Sequence, residues 1–249
     1  MIRLFRKIRH NLLSEDKYSI YLLYAGGEIV LVVVGILFAL QIDNWSQSRK
    51  DRNSEAYYLN QIRMELASDS LTLHEAKMRF AGSIPIIESL VQELNKEDNM
   101  ETFNPALKAY LNNVWGAIYF TANSATFEEM KASAKLGIIE DRVLRNEIVK
   151  LYSQLNHTQT VHYENSEFLK PMDIKLSSEY SLARYLKLQE PVFGPYITEE
   201  DFYRLKSLKT ELESNAANWH WTVVELLPII QSSLDEIQVL MMEIENYLQ

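Results

Sequence analysis

Cysteine is absent from the 249-residue sequence, so no disulfide, thiolate metal site or cysteine nucleophile can form. Glycine and proline are scarce, at seven and six residues. An all-β chain needs many tight turns and a disordered chain is rich in both residues, so neither class fits. The formal charge is −9, and the chain lacks the basic face that a nucleic-acid binder needs. There is no HExxH, no paired ExxH and no carboxylate–histidine cluster at metal spacing. His157 and His162, five residues apart, lie about 140° apart around a helix and share no face. P-loop, GxGxxG and GxSxG motifs are also missing, which leaves nucleotide binding and serine hydrolysis without local support. The expectation is a protein that is not an enzyme and carries no cofactor or metal.

What is present is a long apolar run, "YLLYAGGEIVLVVVGILFALQIDNW", over residues 21–45, with one carboxylate, Glu28, in its first half. A hydrocarbon core of ~30 Å needs about 20 helical residues. If Glu28 ended the run, the apolar stretch 29–40 would be roughly 18 Å long, which is too short. The span must therefore reach back to about Ile20, placing Glu28 inside it. Fourteen Leu, Ile, Val and Phe residues lie over 20–42. They contribute roughly −4 to −8 kcal/mol to insertion, against about +3 kcal/mol for one acid, so the apolar side wins. Tyr18, Tyr21 and Tyr24 at one end and Trp45 at the other resemble interfacial belts. A secretory signal peptide would end at a small-residue cleavage site, and neither Gly35 nor Ala39 leads into a convincing one. An uncleaved single-pass anchor is expected, occupying 18–45.

Charge is unevenly spread along the chain. Residues 1–17 hold five Lys/Arg against two acids, residues 18–43 add only Glu28 and Asp43, and the rest carries −10. The first segment alternates apolar and basic residues at helical spacing, which suits a short amphipathic helix whose Arg3, Arg6, Lys7 and Arg9 meet lipid head groups. The C-terminal flank of the span has three Lys/Arg, Arg49, Lys50 and Arg52. Five against three favours a cytoplasmic N-terminus, which puts the body over 46–249 outside the membrane, in the periplasm if the cell is Gram-negative.

Glu28 is the sharpest signal. Val32, Gly35 and Ala39 fall within about 40° of it on a helix. Small residues spaced beside a polar group mark helix–helix contact in membranes. This face is expected to pair with a second copy or with a partner span. A proton-carrying Glu28 is the functional alternative, because acids within membranes often mark relays.

The body reads as helices. Leu59, Ile62, Leu66, Leu73 and Phe80 form a stripe, "GSIP" at 82–85 predicts a break or kink, and Ile87, Leu90 and Leu94 resume it. "NKEDNMETFNP" predicts a polar turn before a helix over 106–118. "TFEE" at 126–129 has the capping-box pattern. A long helix through Leu144, Ile148, Leu151 and Leu155 is predicted to end before Pro171, and Thr198 with Asp201 predicts another cap. Ile230, Leu234, Ile237, Met241, Ile244 and Leu248 alternate four and three apart, the seam of a coiled coil. The fold expected is all-α: one transmembrane helix followed by an elongated antiparallel bundle of four to six helices. "NWHW" is the densest aromatic patch. Trp219, His220 and Trp221 are candidates for a pocket or partner surface, and core packing is the commoner fate of such aromatics.

The opening stretch, "LFRKIRHNLLSEDKYSIYLLYAGGEIVLVVVGILFALQIDNW", resembles an uncharacterised family of Bacteroidota membrane proteins. Members pair a basic "FRKIR" foot with a "GEI…GI..ALQI.NW" span; Phe5, Arg6, Gly27, Glu28, Gly35, Ala39, Gln41 and Trp45 are among the matching positions. "TFEEMKASAKLGIIED" also resembles a family segment that usually has glycine where this chain has Ala134. The resemblance implies a single-span inner-membrane protein and no activity. The layout is also similar to single-span stator subunits of proton-driven motors and transport energisers, although those use aspartate and mixed α/β domains. Three functions follow as expectations: a scaffold, sensor or adaptor working through protein contacts, a proton-coupled subunit, or a periplasmic ligand-sensing module.

Overall fold

The structure, a computed structural model, describes residues 18–115, 120–194 and 197–249, with backbone alone for 18–24. The basic segment 1–17, with Arg3, Arg6, Lys7 and Arg9, lies outside the described residues, as does Ile118. The described residues are helical and contain no strand. In chain order they form α1 (Tyr18–Asn95), α2 (Met100–Asn113), α3 (Ala125–Ala132), α4 (Arg142–Ser178), α5 (Glu190–Phe193), α6 (Glu199–Lys206) and α7 (Lys209–Leu248). Short 3-10 turns occupy Lys135–Ile138, Leu182–Tyr185 and Lys187–Gln189. The chain divides into two compact units, Met1–Ala56 and Tyr57–Gln249, and the division falls within α1.

In the first unit, one helix is long and apolar enough to cross a membrane by length and composition. Its apolar window has a mean hydropathy of 2.2, and none of that window is buried.

The second unit is built on a three/four spacing. Along α1, residues 59, 62, 66, 69, 73, 76, 80, 83, 87, 90 and 94 are all buried. The same rhythm runs through α4 from Leu144 to Leu176 and through α7 from Leu212 to Ile244. A stripe repeating at 3.5 residues keeps one face of each helix on its neighbours for its whole length. Tyr152 on α4 meets Glu65 on α1, and His162 meets Phe80, so these two helices run in the same direction. On α7, Glu245 meets Arg63 and Glu213 meets Asn95, while Glu236 meets Gln154 and Asn215 meets Asp173. Where they touch, α7 therefore runs against both.

Two apolar clusters fill the interior. One joins Leu59, Ile62, Leu66 and Leu73 of α1 to Leu151 and Leu155 of α4, Ile230 and Ile237 of α7, and Phe127 and Met130 of α3. The other joins Leu90 of α1, Leu107 and Tyr110 of α2, Leu176 of α4, Phe202 of α6 and Trp219 of α7. Each fully buried Leu or Ile contributes about 1.5–3 kcal/mol, so the stripe is the main source of stability.

Four local expectations are corrected. The 82–85 stretch does not break the helix, because α1 continues through Pro85 to Asn95. A proline inside a helix costs about 3 kcal/mol. Here the buried stripe continues on both sides of an exposed Pro85, and the Ser83 hydroxyl donates to the Phe80 carbonyl at 2.7 Å. By the same logic α4 does not stop before Pro171. Pro171 is exposed, and Leu169 and Leu176 hold the helix on the core either side of it. Thr126 is not a cap: α3 starts after Ser124, and Thr126 bonds to Glu65 on α1 instead. The cap predicted at Thr198 and Asp201 is present as a reciprocal capping box. The second helix begins earlier than predicted, at Met100, because Asn99 accepts from the Glu101 N–H and caps it.

Candidate functional site

On the apolar helix of the first unit, Glu28, Val32, Gly35 and Ala39 are all exposed, Val32 to 55%. A Cβ built at Gly35 would meet nothing within 4 Å. These four residues lie on one exposed side of the helix, and nothing among the described residues covers them.

In the second unit, two polar constellations interrupt the apolar stripes. Glu65 and Asp69 stand one helical turn apart on α1 and face the segment before and through α3. Both Asp69 carboxylate oxygens accept from the Asn123 N–H at 3.0 Å. Glu65 accepts from the Thr126 N–H at 2.9 Å and its hydroxyl at 2.6 Å, and the Tyr152 hydroxyl donates to it at 3.3 Å. Tyr152 stacks on Phe127 with ring centroids 4.4 Å apart. Further along, the Tyr58 hydroxyl donates to Glu129 at 2.8 Å and accepts from Lys135 at 2.9 Å. The family-like segment is thus fastened to α1 at three places. Asp69 is 3% exposed, and burial pushes its carboxyl up to about 6, with the Glu65 charge adding and the Asn123 N–H opposing. Burial also pushes the Tyr152 hydroxyl well up, as do the charges of Glu65 and Asp69. These carboxylates are occupied in holding backbone. Among the described residues no group of three His, Cys, Asp or Glu is placed to hold a metal ion.

Between the fastened segment and its 3-10 turn, Ala134 adopts the left-handed conformation, φ 55° and ψ 28°. A turn in this left-handed region, which favours glycine, is made here by alanine.

The second constellation centres on Asn215 of α7, which is fully buried. Its carbonyl oxygen accepts from the Tyr110 hydroxyl at 2.6 Å and from the Trp115 indole N–H at 3.0 Å. Its amide donates to Asp173 Oδ1 of α4 at 2.8 Å, and the Trp219 indole N–H donates to the same oxygen at 3.2 Å. Burial raises the Asp173 carboxyl above its ordinary range, opposed by those two donors. Burial raises the Tyr110 hydroxyl as well, and the Asp173 charge adds to it. Asp173 also lines an open cleft of about 370 Å³, together with Trp115, Ile174, Ser177, Ser178 and Leu186.

The three residues of the aromatic patch do not converge. Trp219 is 3% exposed and packs in the core, His220 is half-buried, and Trp221 is 53% exposed with its ring against Phe168 at 5.7 Å. The cleft lies one hydrogen bond away from Trp219, at Asp173. Sequence reasoning missed Asp173, Asn215, Glu65 and Asp69. For Asn215 and Asp69 a signal existed: both are polar residues on the buried three/four register, where a polar side chain must find a partner.

Residues 28–190 match the family of unknown function DUF6090, a match covering more than half of the sequence. The chain belongs to this family. The matched region runs from Glu28 in the apolar helix through the fastened segment and the whole of α4, and so includes Glu65, Asp69 and Asp173. Asn215 and Trp219 lie beyond it. No curated protein and no solved structure matches the chain.

Proposed function

We propose that this DUF6090 protein is a membrane-anchored helical scaffold, sensor or adaptor without enzymatic activity, working through protein–protein contacts in the bilayer and the periplasm. Residues 18–45 cross the inner membrane once, with the N-terminus in the cytoplasm. The body, an elongated helical bundle in which α7 runs against α1 and α4, stands in the periplasm. The observation that carries the reading is a second apolar stripe on α1, outside the core. Tyr57, Met64, Leu71 and Met78 are spaced by seven and are 60, 64, 69 and 64% exposed. Scattered exposed apolar residues need no explanation, but a heptad-spaced row on one helix face is what an associating helix presents. The exposed face of Glu28, Val32, Gly35 and Ala39 supports the same reading within the membrane, where a second copy or a partner span would cover it.

Because the chain has no cysteine, single cysteines introduced at Gly35, Ala39 and Leu71 report contacts without background. Crosslinking in membranes is expected to trap a discrete product from these positions and none from Thr72, which is exposed and lies about 100° round α1 from Leu71. Absence of any product from all three positions refutes the reading. Glu28→Gln keeps size and hydrogen bonding, so contacts persist. Loss of function with the complex intact would instead support proton carriage by Glu28.

The cleft beside Asp173 favours a second reading, in which the same body also senses a small ligand.

A further inference from the structure

We infer that the cleft beside Asp173 is a binding site for a small organic cation, a protonated alkylamine whose ammonium meets the Asp173 carboxylate and whose chain lies on the apolar wall. The assignment deepens the ligand-sensing reading and rests on it.

The carboxylate is held in place before any ligand arrives. Asp173 Oδ1 already accepts from Asn215 and Trp219, and Asn215 is in turn held by Tyr110 and Trp115. This network draws on α2, α4, α7 and the residue after α2's cap, so the acid cannot swing away without breaking both hydrogen bonds that Oδ1 accepts. A network of this kind is costly to bury, and apolar packing would stabilise the fold as well or better. Its output is one fixed anionic group at the surface of a cleft. Oδ2 accepts no hydrogen bond among the described residues, and no lysine or arginine there pairs with Asp173. A partly buried carboxylate without a cation is destabilised, and an incoming cation relieves it.

The rest of the cleft fixes the ligand class. Trp115, Ile174 and Leu186 supply an apolar wall, and the indole of Trp115 is pinned through its N–H to Asn215. An indole face also attracts cations. The Ser178 hydroxyl donates to the Ile174 carbonyl at 2.7 Å, so its lone pairs remain available to accept from an ammonium, and Ser177 offers another hydroxyl. An anion would face the Asp173 charge with no basic side chain to offset it. A volume of about 370 Å³ falls at the lower end of small-molecule sites, which suits an amine of a few carbons.

The test uses the full-length protein in mild detergent and calorimetric titration with n-pentylammonium, 1-pentanol and pentanoate. Saturable binding of pentylammonium is expected, with the alcohol about tenfold or more weaker and pentanoate silent. Asp173→Asn keeps an oxygen for the Trp219 and Asn215 donors but has no charge. It should weaken the amine by about ten- to a hundredfold and leave the alcohol unchanged. Ser177→Leu fills the cleft without touching the network and should abolish both. If pentanol binds as tightly as the amine, or Asp173→Asn binds the amine like wild type, the cation assignment is overturned while a ligand cleft stands. If no probe binds to the folded protein, both the assignment and the sensing reading are overturned.

Discussion

Ala134→Gly should make the protein more stable. Ala134 sits at φ 55° and ψ 28° at the end of α3, with its N–H bonded to the Lys131 carbonyl at 3.2 Å. An L-residue in that region pushes Cβ against the following carbonyl at a cost of about 1–2 kcal/mol. Glycine removes the clash. It also loosens the unfolded chain, which gives back about 0.4–1 kcal/mol. The methyl is exposed, so almost no burial is lost. The net is a gain of about 0.5–1 kcal/mol, or roughly 1–4 °C in Tm for a body of this size. Far-UV circular dichroism of the full-length protein in detergent, melted by heat and by urea, reads the difference. Ala134→Val provides the opposite perturbation and should lose stability, because branching at Cβ worsens the same clash. A glycine variant no more stable than wild type, or a valine variant equal to it, would refute the strain argument. Ser181 holds φ 59° and offers an independent second site for the same comparison.

Two further perturbations probe the buried polar groups. Asp69, pushed up to about 6 from 3.8, holds its proton more tightly folded than unfolded. Its ionisation therefore penalises the native state above about pH 6, and the penalty fades as pH falls toward 4. Relative to Asp69→Asn, the wild type should gain up to about 3 kcal/mol between pH 7.5 and pH 4 in urea titrations; a pH-independent difference would contradict this. Asn215→Ala strands the Tyr110 hydroxyl and the Trp115 indole N–H and takes one of two donors from the Asp173 carboxylate, and should cost about 2–4 kcal/mol, whereas Tyr110→Phe should cost about 1 kcal/mol. A loss below about 1 kcal/mol for Asn215→Ala would show that the network is not buried in solution.

The all-α class was legible because apolar residues recur at helical spacing and turn-forming residues are few. The seam of α7 was legible for the same reason: Ile230, Ile237 and Ile244 are buried, with Leu234, Met241 and Leu248 partly so. Proline was the misleading signal. Local rules read Pro85 and Pro171 as boundaries, yet long-range burial on both sides outweighs one lost hydrogen bond at an exposed position. Thr126 was misread because capping-box spacing cannot say that Glu65, sixty-one residues earlier, reaches it first. The candidate cleft was half legible. Trp219 marked the neighbourhood, but its ring is core, and the chemistry falls to Asp173, whose partners Asn215 and Trp115 are distant in sequence. The exposed heptad of Tyr57, Met64, Leu71 and Met78 becomes visible only once the core register of α1 is known.

The most direct test of the account is whether residues 20–42 remain in the protein and in the lipid. Membranes from cells making the full-length protein are washed with alkaline carbonate, and the retained chain is sized and its N-terminus determined by mass spectrometry. The account predicts that the chain stays in the pellet and begins upstream of residue 20. A chain that has lost this segment, or one that washes into the aqueous fraction, would contradict it.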